Sequence, residues 1–168
     1  MSNLQKAFIE IRDIPYGIPL SYGTEDRGCT GKHKKFFEIL KKDGYDVRWR
    51  VCVFKWSNLS LPENLLIIPH DDSSTHAYLE VMINGDWKKV DATWDKPLKN
   101  ILPINEWDGV SNTKIAVPVI STYSPEKSLS IMENGSREIV EAGLKINGKF
   151  YESFNRWLEE VRLKSEDR

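Results

Sequence analysis

The chain has 168 residues, 40% hydrophobic and 29% charged, with 24 basic against 25 acidic side chains. That length supports one domain, residues 1 to 168, with a core that needs no disulfide or metal, and the near-zero net charge provides no field to draw nucleic acid or anionic lipid. No signal or transit peptide opens the chain, no segment reads as a bilayer span, and two cysteines make no disulfide framework, so a reducing cytoplasm and two free thiols are the expectation.

Leu4, Ala7, Phe8 and Ile11 repeat at helical spacing over residues 3 to 12, before Pro15 and Pro19 open an irregular stretch through Gly28. A second helix is expected from Thr30 to Lys42. Its stripe of Leu40, Phe37, Phe36 and His33 runs back one more turn to Cys29, and Asp43-Gly44 ends it. Residues 46 to 56 alternate as a strand, with Val47, Trp49, Val51 and Val53 on one face and Arg48, Arg50, Cys52, Phe54 and Trp56 on the other. Residues 57 to 74 read as a long excursion anchored by Leu65 to Ile68.

THAYLEVMI-NG-DWKKVDATW then gives two alternating runs joined by Asn84-Gly85, the pair favoured in type I′ hairpin turns. With that turn Ile83 faces Asp86, Tyr78 faces Asp91 and His76 faces Thr93, and Glu80 lies opposite Lys89, its expected ion-pair partner. His76 and Asp91 become diagonal neighbours on one face, about 7 Å apart by backbone spacing and within side-chain reach. Beyond them Lys114 to Ile120 is the best further strand. A final amphipathic helix carries Phe154, Trp157, Leu158 and Val161. The expected fold class is α+β, a central helix bearing the cysteine packed on an antiparallel sheet.

Cys29, His76 and Asp91 together have the chemistry of a nucleophilic triad. A cysteine at a helix start meets unsatisfied N–H groups and the positive end of the dipole, which favours thiolate. An imidazole beside a carboxylate is held in one tautomer and is stabilised when protonated. Gly28 permits close backbone approach at the helix start. Cys52 sits mid-strand with no imidazole placed near it and reads as structural.

The segments IRDIPYGI, RGCTGKHKKFFEILKKDGYDVR, THAYLEV and GDWKKVDATW, about residues 9 to 95, resemble the transglutaminase-like superfamily of papain-like thiol enzymes. The resemblance implies Cys29 as nucleophile, His76 as general base and acid, and Asp91 as the residue orienting His76, with an oxyanion held by the Cys29 N–H and a second donor from the upstream loop, for which Tyr16 and Tyr22 are the candidates. It implies no cofactor, and a peptide, protein or small amide as substrate. Two departures stand: Tyr78 occupies the place of a common Trp after the His, and only 28 residues precede Cys29. Residues 96 to 168 carry no part of the likeness.

Two rival readings compete with the triad. Cys29, His33, His70 and His76 form a possible zinc set, although no Cys-x-x-Cys or His-Glu-x-x-His spacing supports it. Alternatively the chain is a binding module without turnover, with Trp49, Trp56, Trp94 and Trp107 as contact surface or, more simply, as core.

Overall fold

Asn84 and Gly85 adopt φ of 51° and 85°, the left-handed pair a type I′ turn requires. The hairpin they close, β2 (Ser73–Ile83) with β3 (Asp86–Val90), pairs Ile83 with Asp86, Glu80 with Lys89 and Leu79 with Val90, the register read from the sequence. The computed structural model describes residues 1–167. Preceding the hairpin are α1 (Asn3–Arg12), α2 (Cys29–Lys42), β1 (Val47–Lys55) and α3 (Glu63–Leu66), and following it are β4 (Ser121–Thr122), α4 (Pro125–Glu133) and α5 (Arg137–Glu166). The expected α+β class holds: the four strands form an antiparallel sheet in the order β3-β2-β1-β4.

Both faces of the sheet are covered. Trp49, Val51, Ala77, Leu79 and Val81 pack with α1 and α2 through Phe8, Ile11, Phe36 and Leu40. Phe54, Trp56 and Tyr78 pack with α5 through Phe150, Phe154 and Leu158. Helix α1 starts in a capping box, with the Ser2 hydroxyl accepting the Gln5 N–H and the Gln5 side chain accepting from Ser2.

Four expectations are corrected. The second hairpin strand stops at Val90 rather than Thr93, because the next backbone donors turn to side chains: Asp91 N–H to Thr113 Oγ1, Ala92 N–H to His33 Nε2 and Thr93 N–H to Asp91 Oδ1. Lys114 to Ile120 is not a strand. Lys114 N–H bonds Asn105 Oδ1 and Ala116 N–H bonds Asp91 Oδ2, so that stretch braces the hairpin end, and the short strand beside β1 is β4. Glu80 does not pair with exposed Lys89; it is buried and takes Arg48 Nε at 2.6 Å and Arg50 Nη1 at 2.7 Å from the neighbouring strand. Cys52 does have an imidazole near it, since β1 and β2 pair Cys52 directly with His76.

The prolines of the C-terminal part conceal a helix, α4. Ser124 caps it, accepting Lys127 N–H, with Pro125 at its first position, where the missing N–H is harmless. Ser128 Oγ on α4 accepts the buried Val51 N–H at 2.9 Å, a donor in β1 that the two-residue β4 leaves unpaired. Helix α5 is far longer than its apolar stripe from Phe154 to Val161 suggested.

Candidate active site

Cys29 is the first residue of α2, with Gly28 as its extended N-cap. A Cβ at Gly28 would sit 3.0 Å from Asp26 Oδ1, and one at Gly31 would coincide with the Asp26 backbone carbonyl. The Gly-Cys-Thr-Gly sequence therefore lets residues 26–28 fold against the first turn of the helix. Asp26 Oδ1 accepts Gly28 N–H at 2.7 Å and holds that turn. Among the described residues no acceptor pairs with the Cys29 N–H.

His76 and Asp91 meet as the register requires. The imidazole Nε2–H donates to Asp91 Oδ2 at 2.7 Å, both side chains being buried. Asp91 is held on every side: Oδ2 also accepts Ala116 N–H at 2.8 Å, and Oδ1 accepts the Thr93 hydroxyl at 2.6 Å and the Thr93 N–H at 3.1 Å. With Nε2 committed to Asp91, Nδ1 is the nitrogen left for the sulfur. Burial pulls the imidazole down, but the Asp91 charge and hydrogen bond, joined by a hydrogen bond and charge from Cys29, push it up to about 10. Burial would raise Asp91; the His76 charge and hydrogen bond, with His33 and Thr93 behind them, hold it below the usual carboxylate range.

His33 is fully buried one turn along α2 and uses both ring nitrogens. Ala92 N–H donates to its Nε2 at 3.0 Å, so Nδ1 carries the proton and donates to the Cys29 carbonyl at 2.8 Å. Burial drives its pKa down to about 4, against the pull of Asp91 3.8 Å away, so the ring is neutral near pH 7. Its lone pair is spent on Ala92 and is not offered to a metal. Among the described residues no group of three or more His, Cys, Asp or Glu side chains is placed to hold a metal ion.

Lys32, also fully buried, donates from Nζ to the carbonyls of Arg12, Ile14 and Thr93 at 2.8, 2.8 and 2.6 Å. It ties α2 to the end of α1 and to the chain just past Asp91. Burial lowers its pKa to about 7, opposed by Asp95 and Asp91.

An opening of about 150 Å³ lies over Cys29 and His76, with Tyr16, Trp56, Trp94 and Tyr151 among its walls. Tyr16 is only 6% exposed and lines this opening. Burial first, then Cys29 and Asp26, push its phenol well up, so it stays a donor. Tyr22, the other expected oxyanion donor, is placed elsewhere: it is 53% exposed, does not line the opening and lies under the Arg137 guanidinium. Trp49, Trp56, Trp94 and Trp107 are all buried, so they form core and pocket wall, not an exposed contact surface. Cys52 is fully buried, and its thiol is pushed up to about 12, by burial first and then by the charges of Asp91 and Cys29.

The C-terminal region shapes this site in ways no local pattern announced. Arg162 of α5 makes a two-pronged ion pair with Asp95, both bonds 2.8 Å, and donates to the Tyr16 carbonyl, while Asp95 Oδ1 accepts the Tyr16 N–H. Asn155 grips Ile18 through both its N–H and its carbonyl, each at 2.8 Å. Helix α5 thus sets the loop upstream of Cys29 and contributes Tyr151 to the pocket. Asp26 had a usable local signal, an Asx turn two residues before Gly28 at a helix start; Tyr151, Asn155 and Arg162 had none.

No family model, curated protein or solved structure matches this chain. No helix among the described residues is long and apolar enough to cross a membrane.

Proposed function

We propose that this protein is a thiol-dependent acyl-transfer enzyme of the transglutaminase-like, papain-like kind, acting on an amide or ester of a peptide, protein or small molecule in a reducing cytoplasm. One observation carries the reading: Cys29, at the first position of α2, opens into the same pocket as His76, whose far nitrogen is tied to buried Asp91 at 2.7 Å. Nucleophile, proton carrier and orienting carboxylate are thus supplied by three separate elements at one point.

In the proposed reaction the Cys29 thiolate attacks the substrate carbonyl carbon, and the carbonyl electron pair moves onto oxygen. The Cys29 N–H and the Tyr16 hydroxyl are the donors for that oxyanion. Because the imidazolium is pushed up to about 10, the proton rests on His76 near pH 7 and is ready for the leaving amine. Collapse expels the protonated amine and leaves a thioester on Cys29. Water gives its proton to His76 and attacks the thioester, the thiolate departs, and the acid is released. An amine in place of water gives a new amide.

The test is labelling with an acyl-activated ester, read by peptide mass spectrometry. The expected result is one acyl group on Cys29, lost in Cys29→Ala and slowed in His76→Ala. Equal, slow modification of Cys29 and Cys52 overturns the proposal. Comparing water with a primary amine as the resolving nucleophile then separates hydrolysis from transfer.

A further inference from the structure

Asp26 is an unpaired carboxylate at the mouth of the site. It is half-buried, lines the opening over Cys29 and accepts the Gly28 N–H at 2.7 Å, with no cation paired to it. Burial accordingly pushes its pKa up, against the hydrogen bond from Gly28. No lysine or arginine lines the opening, and the one cationic side chain there, His76, is neutralised by Asp91. Tyr16, 6% exposed, lines the same space.

Five aromatic side chains make up much of the wall, with Ile18, Pro19 and Val117 beside them. Tyr16, Phe54, Trp56, Trp94 and Tyr151 surround the cavity. Aromatic faces attract a cation through their quadrupole, and a carboxylate supplies the hydrogen-bonding counter-charge. A cavity of about 150 Å³ is the size that holds one benzene-like group, so it admits a single side chain and not an oligosaccharide.

Resting on the catalytic reading above, we infer that the pocket recognises a substrate whose acyl portion carries one basic side chain, an ammonium or guanidinium group, seated against Asp26 and the aromatic wall. An anionic acyl group meets Asp26 with no cation to offset it and is rejected.

Two measurements test this, the first independent of turnover. Iodoacetamide labelling of Cys29 is followed by mass spectrometry with n-butylguanidinium, 1-pentanol or hexanoate present. The guanidinium should protect Cys29 at a concentration about tenfold or more below that needed for pentanol, as a charge-assisted hydrogen bond implies, and hexanoate should not protect. Asp26→Asn, which can still accept the Gly28 N–H, should bring the guanidinium-to-pentanol ratio to about one. Slow labelling of buried Cys52 reports that the variant is folded. In the second measurement the p-nitrophenyl ester of 4-guanidinobutyrate should acylate Cys29 with kcat/KM about tenfold or more above that of the hexanoate ester. Equal protection by the three ligands, a ratio unmoved by Asp26→Asn, or equal rates for the two esters overturns the inference. Cation protection without acylation by either ester overturns the catalytic reading instead, and with it the assignment of the cation to an acyl donor.

Discussion

His33 and Cys29 are joined by a 2.8 Å hydrogen bond from the imidazole Nδ1 to the cysteine carbonyl, while the other nitrogen of the same ring takes the Ala92 N–H. One buried side chain thereby fixes the distance between the helix that carries the nucleophile and the strand end that carries Asp91. His33→Phe keeps much of the volume and removes both bonds, leaving the buried Ala92 N–H without an acceptor, whereas the Cys29 carbonyl keeps its place in the helix. The expected loss is about 1–3 kcal/mol in urea unfolding, with slower iodoacetamide labelling of Cys29. Unchanged stability and labelling would mean that the clamp has no role.

Asp91 accepts from His76, Ala116 and Thr93, so truncating it to alanine would strip several buried donors at once. Asp91→Asn keeps one of the two accepting oxygens and removes the charge. Acylation of Cys29 should fall by roughly 10²–10⁴, the range of a misdirected general base, with the circular dichroism spectrum unchanged. Wild-type turnover in this variant would move the orienting role to another residue.

The pH dependence of stability isolates the charge on His76. Its folded pKa is raised from 6.5 to about 10, so its stabilising contribution is complete below pH 6.5 and is lost as pH rises through 10. Lys32, lowered from 10.5 to about 7, acts with the opposite sign above pH 7, so only a difference between proteins is informative. The unfolding free-energy gap between wild type and His76→Gln should narrow steadily from pH 6 to pH 10. A gap independent of pH would show that the imidazole is not protonated in the folded state.

The two thiols should separate in reactivity. Cys29 is partly exposed in the pocket, whereas Cys52 is buried and pushed up to about 12. Iodoacetamide at pH 6 should modify Cys29 first, with Cys52 reacting only after denaturation, and His76→Ala should narrow the difference. Prior modification of Cys52 in the folded protein would contradict the burial on which this rests.

Arg162→Met tests the brace from α5. The substitution leaves Asp95 buried without its partner, which typically costs about 3–5 kcal/mol. Because Arg162 also holds the Tyr16 carbonyl, acylation should fall at temperatures where the variant is still folded. Loss of stability with full acylation would confine the brace to a structural role.

Much of the site was legible in the sequence because the signals were local. Backbone energetics at Asn84-Gly85 select a single turn, and a turn of defined length sets which side chains share a face, so the meeting of His76 with Asp91 follows from residues a few positions apart. The helical period likewise brought Cys29, His33 and Phe36 onto one stripe. The diagonal pair held even though the ladder ends at Val90, because the chain past that point is drawn to His33, Thr113 and Asp91 itself.

Sequence alone therefore determined the hairpin register, the stripe behind Cys29 and the α+β class, each governed by interactions within one or two turns of chain. Only the tertiary structure decided that Cys52 lies opposite His76, that Glu80 answers to two arginines, that residues 113–116 brace Asp91, and that α5 holds the loop bearing Tyr16. Those contacts join residues far apart in sequence. Which partner a buried donor or charge finds depends on every other element competing to satisfy it, and no spacing rule records that competition.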